Sequence, residues 1–519
     1  MAARKELNVG VSVSMNADRR VIVVGAGPAG VRAAQALVQA GLRPTVIDEG
    51  RRDGGQIYRR QPEGFKRSYE TLYGTEAARA AALHRDFDAL RPHIDYLPDT
   101  LVWNIGPKAV HLASGTRYRE LAFDALIVCS GATDRLMPVP GWDFAGAYSL
   151  GGAQVALKSQ GCAIGARTVM MGTGPLLYLV AAQYVKAGAS VSAVLDTSTF
   201  GQRVRALPDL LQMPSTLRKG VALMGVLRRA GVPVHRGVTP LAIEGTPEHG
   251  VTGVRATLAD GSAYRAECDA VALGYHLRAE TQLADLAGCA FEFDQAARQW
   301  LPQVDEDGRS SVAGVYLAGD GARVRGADAA ERAGRLAALA ALRDAGVVLS
   351  GARDEAARLR RELARYTRFA QGLRTAFPWP AQFAATLPDH AVVCRCEAIT
   401  AGELRRVVRQ MGACEANRAK AFSRVGMGRC QGRFCAHAGA EVIAAEARVP
   451  LEAVGRLRGQ APVKPLTMAL ADAACGTDPT PGCASETEPS ARTQAAPTQP
   501  QTQTQTPQSG NCRAQEFSE

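Results

Sequence analysis

The stretch RVIVVGAGPAG, residues 20–30, decides how the chain is read. Its β-branched run from Arg20 to Val24 predicts a buried strand that stops at a glycine turn. Gly25, Gly27 and Gly30 have the spacing needed for a tight turn, a close backbone approach to a pyrophosphate, and close helix packing. The phosphates would then rest on the helix N-terminus. The following VRAAQALVQAG has helical periodicity and PTVID reads as a second strand, which makes a βαβ unit. Asp48 ends that second strand at the distance expected for a carboxylate on a ribose diol, so a bound dinucleotide is expected here rather than a merely tight turn.

A second copy of the pattern runs through RTVMMGTGPLLYLVAAQYVKAGASVSAVLD, residues 167–196, with a strand ending at Met171 and a helix from about Gly174 to Ala187. Gly172 and Gly174 are kept, but Leu177 stands at the third glycine position, where a side chain holds helix and strand apart. Asp196 falls one residue later than Asp48 does in its own unit. NAD(P) is therefore disfavoured at this unit, against a retained scaffold or a different nucleotide. Between the two units, FDALIVCSGATDRLMPVPG predicts a strand and a glycine turn at Gly131, and CDAVALGYHLRAET repeats that pattern after the second unit. GVYLAGDGARVRGADAAERAGRLAALAAL then gives strand, turn and helix. This nested order predicts one domain interrupted by another.

Composition narrows the class. With 519 residues, 46% hydrophobic and 21% charged, the chain has the makeup of a soluble globular protein of two to four domains. No apolar run approaches the roughly 18 to 20 residues of a transmembrane helix, and the opening MAARKELNVGVSVSMNADRR lacks the apolar middle of a signal peptide. A cytoplasmic location without a transmembrane segment is expected. The net charge of +11 is spread through helices without a basic, aromatic-interleaved run, so nucleic acid is not an expected partner. A solvated basic surface, or a patch for an acidic electron-transfer partner, is the reading that remains.

Twelve cysteines in so long a chain do not make a disulfide scaffold. Cys129, Cys162, Cys268 and Cys289 are predicted as small core residues, and Cys475, Cys483 and Cys512 fall in a tail. Neither dinucleotide unit contains C-x-x-C, which argues against disulfide-reductase chemistry. The remaining pairs stand in AVVCRCEAIT, residues 391–400, and GMGRCQGRFC, residues 426–435. In an extended segment residues i and i+2 point to one side, so Cys394 and Cys396 are expected to face one centre. Cys430 and Cys435 supply the second pair, on a loop that Gly426, Gly428 and Gly432 allow to curl. Four thiolates suit zinc or an iron–sulfur cluster, and zinc knuckles favour C-x-x-C over this spacing. Cys414 has no partner at ligand spacing. His276 and His390 stand alone, and a lone histidine is more often structural than catalytic.

YLAGDGA, with Gly319 and Asp320, resembles the motif of two-dinucleotide flavoprotein oxidoreductases whose aspartate binds the flavin ribityl or phosphate end. GGQIY, with Gly55 and Gln56, and the Cys129–Ser130–Gly131 variant of the Ala-Thr-Gly turn extend that resemblance and imply FAD. VVCRCEAIT and GMGRCQGRFC resemble the bacterioferritin-associated-ferredoxin-like (BFD-like) [2Fe–2S] domain, which implies that Cys394, Cys396, Cys430 and Cys435 are the cluster ligands. Arg395, Arg429 and Arg433 would offset the cluster's negative charge. The phrases GGQIYR, LKSQG, GTGPLLYLVAAQ, RGADAAERAGRLAA and GMGRCQGRFC together resemble one family from about residue 18 to 470. It comprises the A (alpha) subunits of opine oxidases, the B subunits of hydrogen cyanide synthase, and D-hydroxyproline dehydrogenase subunits.

The resemblance implies an α/β fold of nested Rossmann-like domains with a small, helical, C-terminal [2Fe–2S] domain. The expected division is an N-terminal extension, 1–17; a discontinuous FAD-binding domain, 18–135 and 265–350; a second, NAD(P)-binding-like domain, 136–264; a helical connector, 351–388; the cluster domain, 389–461; and a C-terminal segment, 462–519. The Thr, Gln and Pro content predicts disorder from about 476. The implied function is electron transfer from a partner subunit of amine-oxidase-like fold, which dehydrogenates a C–N bond of an amine, opine, D-hydroxyproline or glycine, to an acceptor. Some relatives also carry a small ferredoxin-like subunit. The alternatives are a self-contained NAD(P)H-dependent flavoprotein reductase and a scaffold with a structural zinc.

Overall fold

The computed structural model describes residues 19–347 and 349–467. The expected 1–17 extension, the tail from about 476, and Cys475, Cys483 and Cys512 lie outside the described residues.

Two parallel five-stranded sheets carry the body. The first has the strand order Val315–Leu317, Ala125–Val128, Val21–Val24, Thr45–Ile47, Asp95–Leu97. Its central strand is buried at every residue because helices cover one face of the sheet and the antiparallel strands Leu101–Ile105 and Ala109–Ser114 cover the other, which is why the sequence shows a continuous apolar run without alternation. Val23 stands opposite Val46 on one side and Ile127 on the other. Helix Pro28–Gln39 packs on helix Ala327–Asp344 so closely that a Cβ at Gly334 would lie 1.9 Å from the Ala29 carbonyl oxygen. The crossing depends on that missing side chain.

The second sheet has the order Val234–Arg236, Val191–Asp196, Thr168–Thr173, Ala270–Tyr275, Ala147–Ser149. Ala270–Tyr275 pairs along its whole length with Thr168–Thr173, Met170 standing opposite Ala272. This corrects the expected division at residue 264: the strand of CDAVALGYHLRAET completes the second sheet. Its neighbour Thr168–Thr173 is buried throughout, and only a further parallel strand satisfies that strand's free edge. The chain passes between the two sheets on an antiparallel pair, Ala132–Asp134 with Leu277–Ala279.

A 25-residue helix, Ala352–Ala376, follows, and its exit, Phe377 to Pro380, packs on the second sheet and the cluster domain. The last region is a hairpin, Val392–Cys394 with Ile399–Thr400, followed by helices Ala401–Met411, Ala416–Ser423, Ala436–Ala447 and Leu451–Val454. A reciprocal capping box of Thr400 and Glu403 starts the first of these helices where the hairpin ends. Among the described residues no helix is long and apolar enough to cross a membrane.

Candidate functional site

The turn after the first strand has the predicted geometry. Gly25 sits at φ +102°, and a Cβ there would lie 2.4 Å from the Cys129 carbonyl oxygen. At Gly30 a Cβ would lie 1.7 Å from the Gly25 carbonyl oxygen, so the helix starts directly against the turn. Gly27 differs: a Cβ there would meet only Gly55 Cα, at 3.5 Å, which leaves the face above the helix N-terminus clear of side chains. Gly55 lies on the turn Gly54–Tyr58, which is tied to the first by a Gly54 N–H bond to the Ala26 carbonyl, 2.9 Å. Gln56 is exposed beside it.

Asp48 accepts hydrogen bonds from the Ala26 N–H at 2.5 Å and the Gly50 N–H at 2.6 Å; burial raises its pKa against those two donors. Asp320 uses Oδ1 to accept from the backbone N–H groups of Arg325 and Gly326, while among the described residues no donor engages Oδ2. Burial raises its pKa too. Gly321 brings this turn against Ser130 and Gly131, Gly319 brings it against Ala29 and Ala330, and a Cβ at Gly131 would enter open space. Four turns with bare backbone, two carboxylates and a helix N-terminus therefore converge at the C-terminal ends of the first sheet's strands, and this donor set suits a dinucleotide.

Lys158 was not singled out from the sequence. Its Nζ is buried, donates to the Ile57 carbonyl at 2.8 Å and faces the Tyr73 ring, and burial with nearby Arg59 pushes its pKa down to about 7. It sits in a π-helical turn, Ala156–Gln160, a signal that neither periodicity nor motif spacing carries.

The second unit has the matching turn without the matching opening. Gly172 and Gly174 take positive φ, and a Cβ at Gly172 would lie 1.8 Å from the Gly274 carbonyl oxygen. Leu177 is fully buried among Met170, Val194 and Ala272. Asp196 is saturated: it accepts from Thr173 Oγ1 (2.7 Å), Tyr178 OH (2.5 Å), Ser198 N–H (2.8 Å) and Ser198 Oγ (2.9 Å), and pairs with Arg203. Arg203 lies over the rings of Tyr178 and Phe377. His276 follows the next strand, bonded to the Phe377 carbonyl, and burial pushes its pKa down to about 4. Its ring stands 3.5 Å from where a Gly174 Cβ would be. His276 thus stands beside the helix N-terminus, and Asp196 is already bonded by side chains of its own unit.

The four cysteines expected as ligands meet, by a route that differs from the expected one. Cys394 ends a strand and is buried, whereas Cys396 lies in the hairpin turn and is exposed, so an extended i, i+2 arrangement does not bring them together. The turn instead swings Cys396 onto the glycine loop, with Gly428 so close that a Cβ would overlap that of Cys396 at 2.2 Å. The thiols contact one another in a chain from Cys396 through Cys430 and Cys435 to Cys394.

Hydrogen bonding from Cys435 brings Cys394 down to about 6, helped by the Gly426 and Glu397 N–H groups. Cys435, with the Phe434 N–H and Cys396, brings Cys430 down to about 5. Cys435 is raised by its contacts with the Cys394 and Cys430 thiols and by burial, and Cys396 by partial desolvation where it meets Cys430. Four cysteine sulfurs gathered in contact are a donor set that a cationic metal core would complete by displacing their protons. Among the described residues no three such ligands converge on a single ion; the chain of contacts suits a binuclear core held by four thiolates.

The four cysteines line a cavity of about 1150 Å³ with Arg395, Arg429 and Arg433. Arg395 lies over the Trp142 ring. Cys414 is exposed and outside this group, and His390 is exposed. Cys162 is exposed as well, which corrects its expected place in the core: it follows the π-helical turn, in the loop that leads to the strand Thr168–Thr173.

Comparison with known proteins agrees with this geometry. Residues 19–335 match the family described as pyridine nucleotide-disulphide oxidoreductase, and residues 392–445 match the BFD-like [2Fe-2S] binding domain. The protein is thus a FAD-dependent oxidoreductase of nested α/β architecture with a C-terminal [2Fe–2S] domain.

The chain is 39% identical to the opine oxidase A subunit of Rhizobium meliloti, over 86% of both chains. Identity is 37% with the opine oxidase A subunit of Agrobacterium tumefaciens, over 90% of this chain and 93% of that one. With the hydrogen cyanide synthase subunit HcnB of Pseudomonas aeruginosa it is 32%, over 80% and 90%. The chain belongs to the family of opine oxidase A subunits and their HcnB relatives. L-proline dehydrogenase from P. horikoshii shares the fold, with a TM-score of 0.61 at 18% identity over 87% of this chain and 79% of that one.

Proposed function

We propose that this chain is the electron-transfer subunit of a heteromeric amine or opine dehydrogenase, in which D-hydroxyproline or glycine is an alternative substrate of the partner. In this reading the partner is a flavoprotein of amine-oxidase-like fold that oxidises the C–N bond. This chain passes the electrons to an acceptor, in the cytoplasm, with or without a small ferredoxin-like subunit. What supports the reading is the pairing of a glycine-turn cradle and a cysteine tetrad with a second unit whose third glycine is replaced by buried Leu177 and whose Asp196 is bonded by its own side chains.

Within it, Gly25, Gly27 and Gly30 take the pyrophosphate and Asp48 the ribose. Gly55, Gln56, Gly131, Gly319 and Asp320 line the rest of the FAD, and Cys394, Cys396, Cys430 and Cys435 hold the cluster. FAD takes up two electrons and gives them up singly, and the cluster carries one at a time. The role of the chain's residues is to bind, orient and set charge: backbone N–H groups face the phosphates, Gly426 and Gly432 N–H groups face sulfur, and Arg395, Arg429 and Arg433 supply positive charge beside it. Gly172 and Gly174 remain as a scaffold.

Anaerobic addition of NADH or NADPH to the oxidised protein tests the reading. Unchanged flavin absorbance, with reduction by dithionite intact and reduction by substrate only when the partner is present, is the expected result. Prompt bleaching by either nicotinamide would make the chain a self-contained reductase.

A further inference from the structure

The cradle and the tetrad are far apart in sequence, and one small group of charged side chains joins them. The strand Leu277–Ala279 ends at Glu280, whose backbone N–H donates to the Gly131 carbonyl at 3.0 Å and whose carbonyl accepts from Ser130 Oγ at 2.6 Å. Ser130 and Gly131 are the turn against which the Gly319–Gly321 turn packs, with Ser130 Oγ 2.4 Å from where a Gly321 Cβ would be. Glu280 is therefore fixed by its backbone to the cradle.

Its side chain reaches the other way. Oε2 accepts from Arg433 Nε at 3.0 Å and from Arg278 Nη2 at 3.1 Å. Arg433 lies between Cys430 and Cys435 in sequence and donates to the Cys430 carbonyl at 3.3 Å and the Val463 carbonyl at 2.8 Å. Arg278 Nε closes the ring on the Arg433 carbonyl at 2.8 Å, and Gln282 Nε2 holds the Gln431 carbonyl at 2.6 Å. All three charged side chains are largely withdrawn from water, at 7%, 15% and 13% exposure for Arg278, Glu280 and Arg433. Burial alone would raise the pKa of Glu280, but the two guanidiniums hold it below the ordinary carboxylate range.

We propose that Glu280 is the positioning residue that seats the cluster loop on the FAD cradle and limits the positive charge beside the cluster. The assignment rests on the cofactor placement in the proposed function. The carboxylate offsets one of the two buried guanidiniums and leaves a net +1 in the triad. Without it both cations bear on the cluster, and added positive charge favours the reduced form. Because the same residue is bonded to the cradle through its backbone, its side chain is the part that can be altered without unseating the turn.

The test is an EPR-monitored redox titration of the purified full chain, wild type against Glu280→Gln and Glu280→Asp. Glu280→Gln keeps the shape and removes the charge. It should retain iron and FAD and raise the equilibrium constant for cluster reduction by about tenfold, or about 59 mV for a one-electron couple. Glu280→Asp keeps the charge and should bring the midpoint back toward wild type. A Glu280→Gln protein whose cluster midpoint and EPR g-values match wild type would overturn the assignment.

Should Glu280→Gln prove insoluble, Glu280→Ala takes its place: it removes the same charge and should raise the cluster midpoint likewise, and a wild-type midpoint in it would overturn the assignment. The readout is an equilibrium property of this chain. Failure of partner-driven reduction, which would sink the relay, is measured separately.

Discussion

Gly27→Ala separates a glycine kept for folding from one kept for a cofactor. The backbone at Gly27 is at φ −79° and ψ −174°, which any residue adopts, and a Cβ there would meet only Gly55 Cα at 3.5 Å. With the cofactor removed, the substitution should therefore be neutral, or stabilising by about 0.4–1 kcal/mol through the less flexible unfolded chain. With FAD bound, the added methyl would occupy the space through which the pyrophosphate approaches the helix N-terminus.

Overpacking of this kind costs about 1–3 kcal/mol. At about 1.4 kcal/mol per decade, FAD affinity should fall roughly 5- to 150-fold. Gly30→Ala is the contrasting control, since its Cβ would lie 1.7 Å from the Gly25 carbonyl oxygen, half the 3.4 Å at which ordinary contact begins. It should destabilise the protein whether or not FAD is present. The assay is thermal unfolding of both apoproteins together with reconstitution by FAD, followed by the loss of free flavin fluorescence. Wild-type FAD affinity in Gly27→Ala, within about twofold, would refute the placement of the pyrophosphate there.

Replacing Cys430 with Ser should abolish the cluster's EPR signal and its iron while leaving FAD in place, whereas Cys414→Ser should change neither; iron analysis and the flavin spectrum check both. Asp196→Ala removes the partner of Arg203 from a fully buried site and should cost about 3–5 kcal/mol in urea unfolding, the range for leaving half of a buried ion pair. His276 is held neutral to about pH 4 in the folded chain, against an ordinary value of 6.5, so the unfolded chain binds the extra proton between those values. Stability should therefore fall as pH drops from about 6.5 to 4, by up to about 3 kcal/mol, and the fall should be shallower in His276→Asn; denaturation midpoints at pH 7 and pH 4.5 measure it.

The βαβ glycines, Asp48, Asp320 and the cysteine tetrad were legible because each depends on a short run of chain. A turn that brings backbone to a phosphate, or a loop that offers two sulfurs, must be written within a few residues. The fold class followed from the same local units repeated in nested order. The hairpin at Cys396 was misread because an i, i+2 pair looks alike in a strand and in a four-residue turn; what tells them apart is the partner strand Ile399–Thr400. The division at residue 264 failed for a related reason. Ala270–Tyr275 is an apolar run that suits either sheet, and only its pairing with Thr168–Thr173 assigns it.

What the sequence determined by itself was the set of glycine turns and the chemistry of the groups they carry. Tertiary structure decided which of those turns are open. Asp48 and Asp196 end equivalent strands, yet Asp48 meets only the backbone N–H groups of Ala26 and Gly50, whereas Asp196 is consumed by Thr173, Tyr178, Ser198 and Arg203. It also decided that Glu280, an ordinary residue in LRAET, is the side chain between the cradle and the cluster loop. Burial and pairing of a charge depend on groups some 150 residues away, and no local pattern records them.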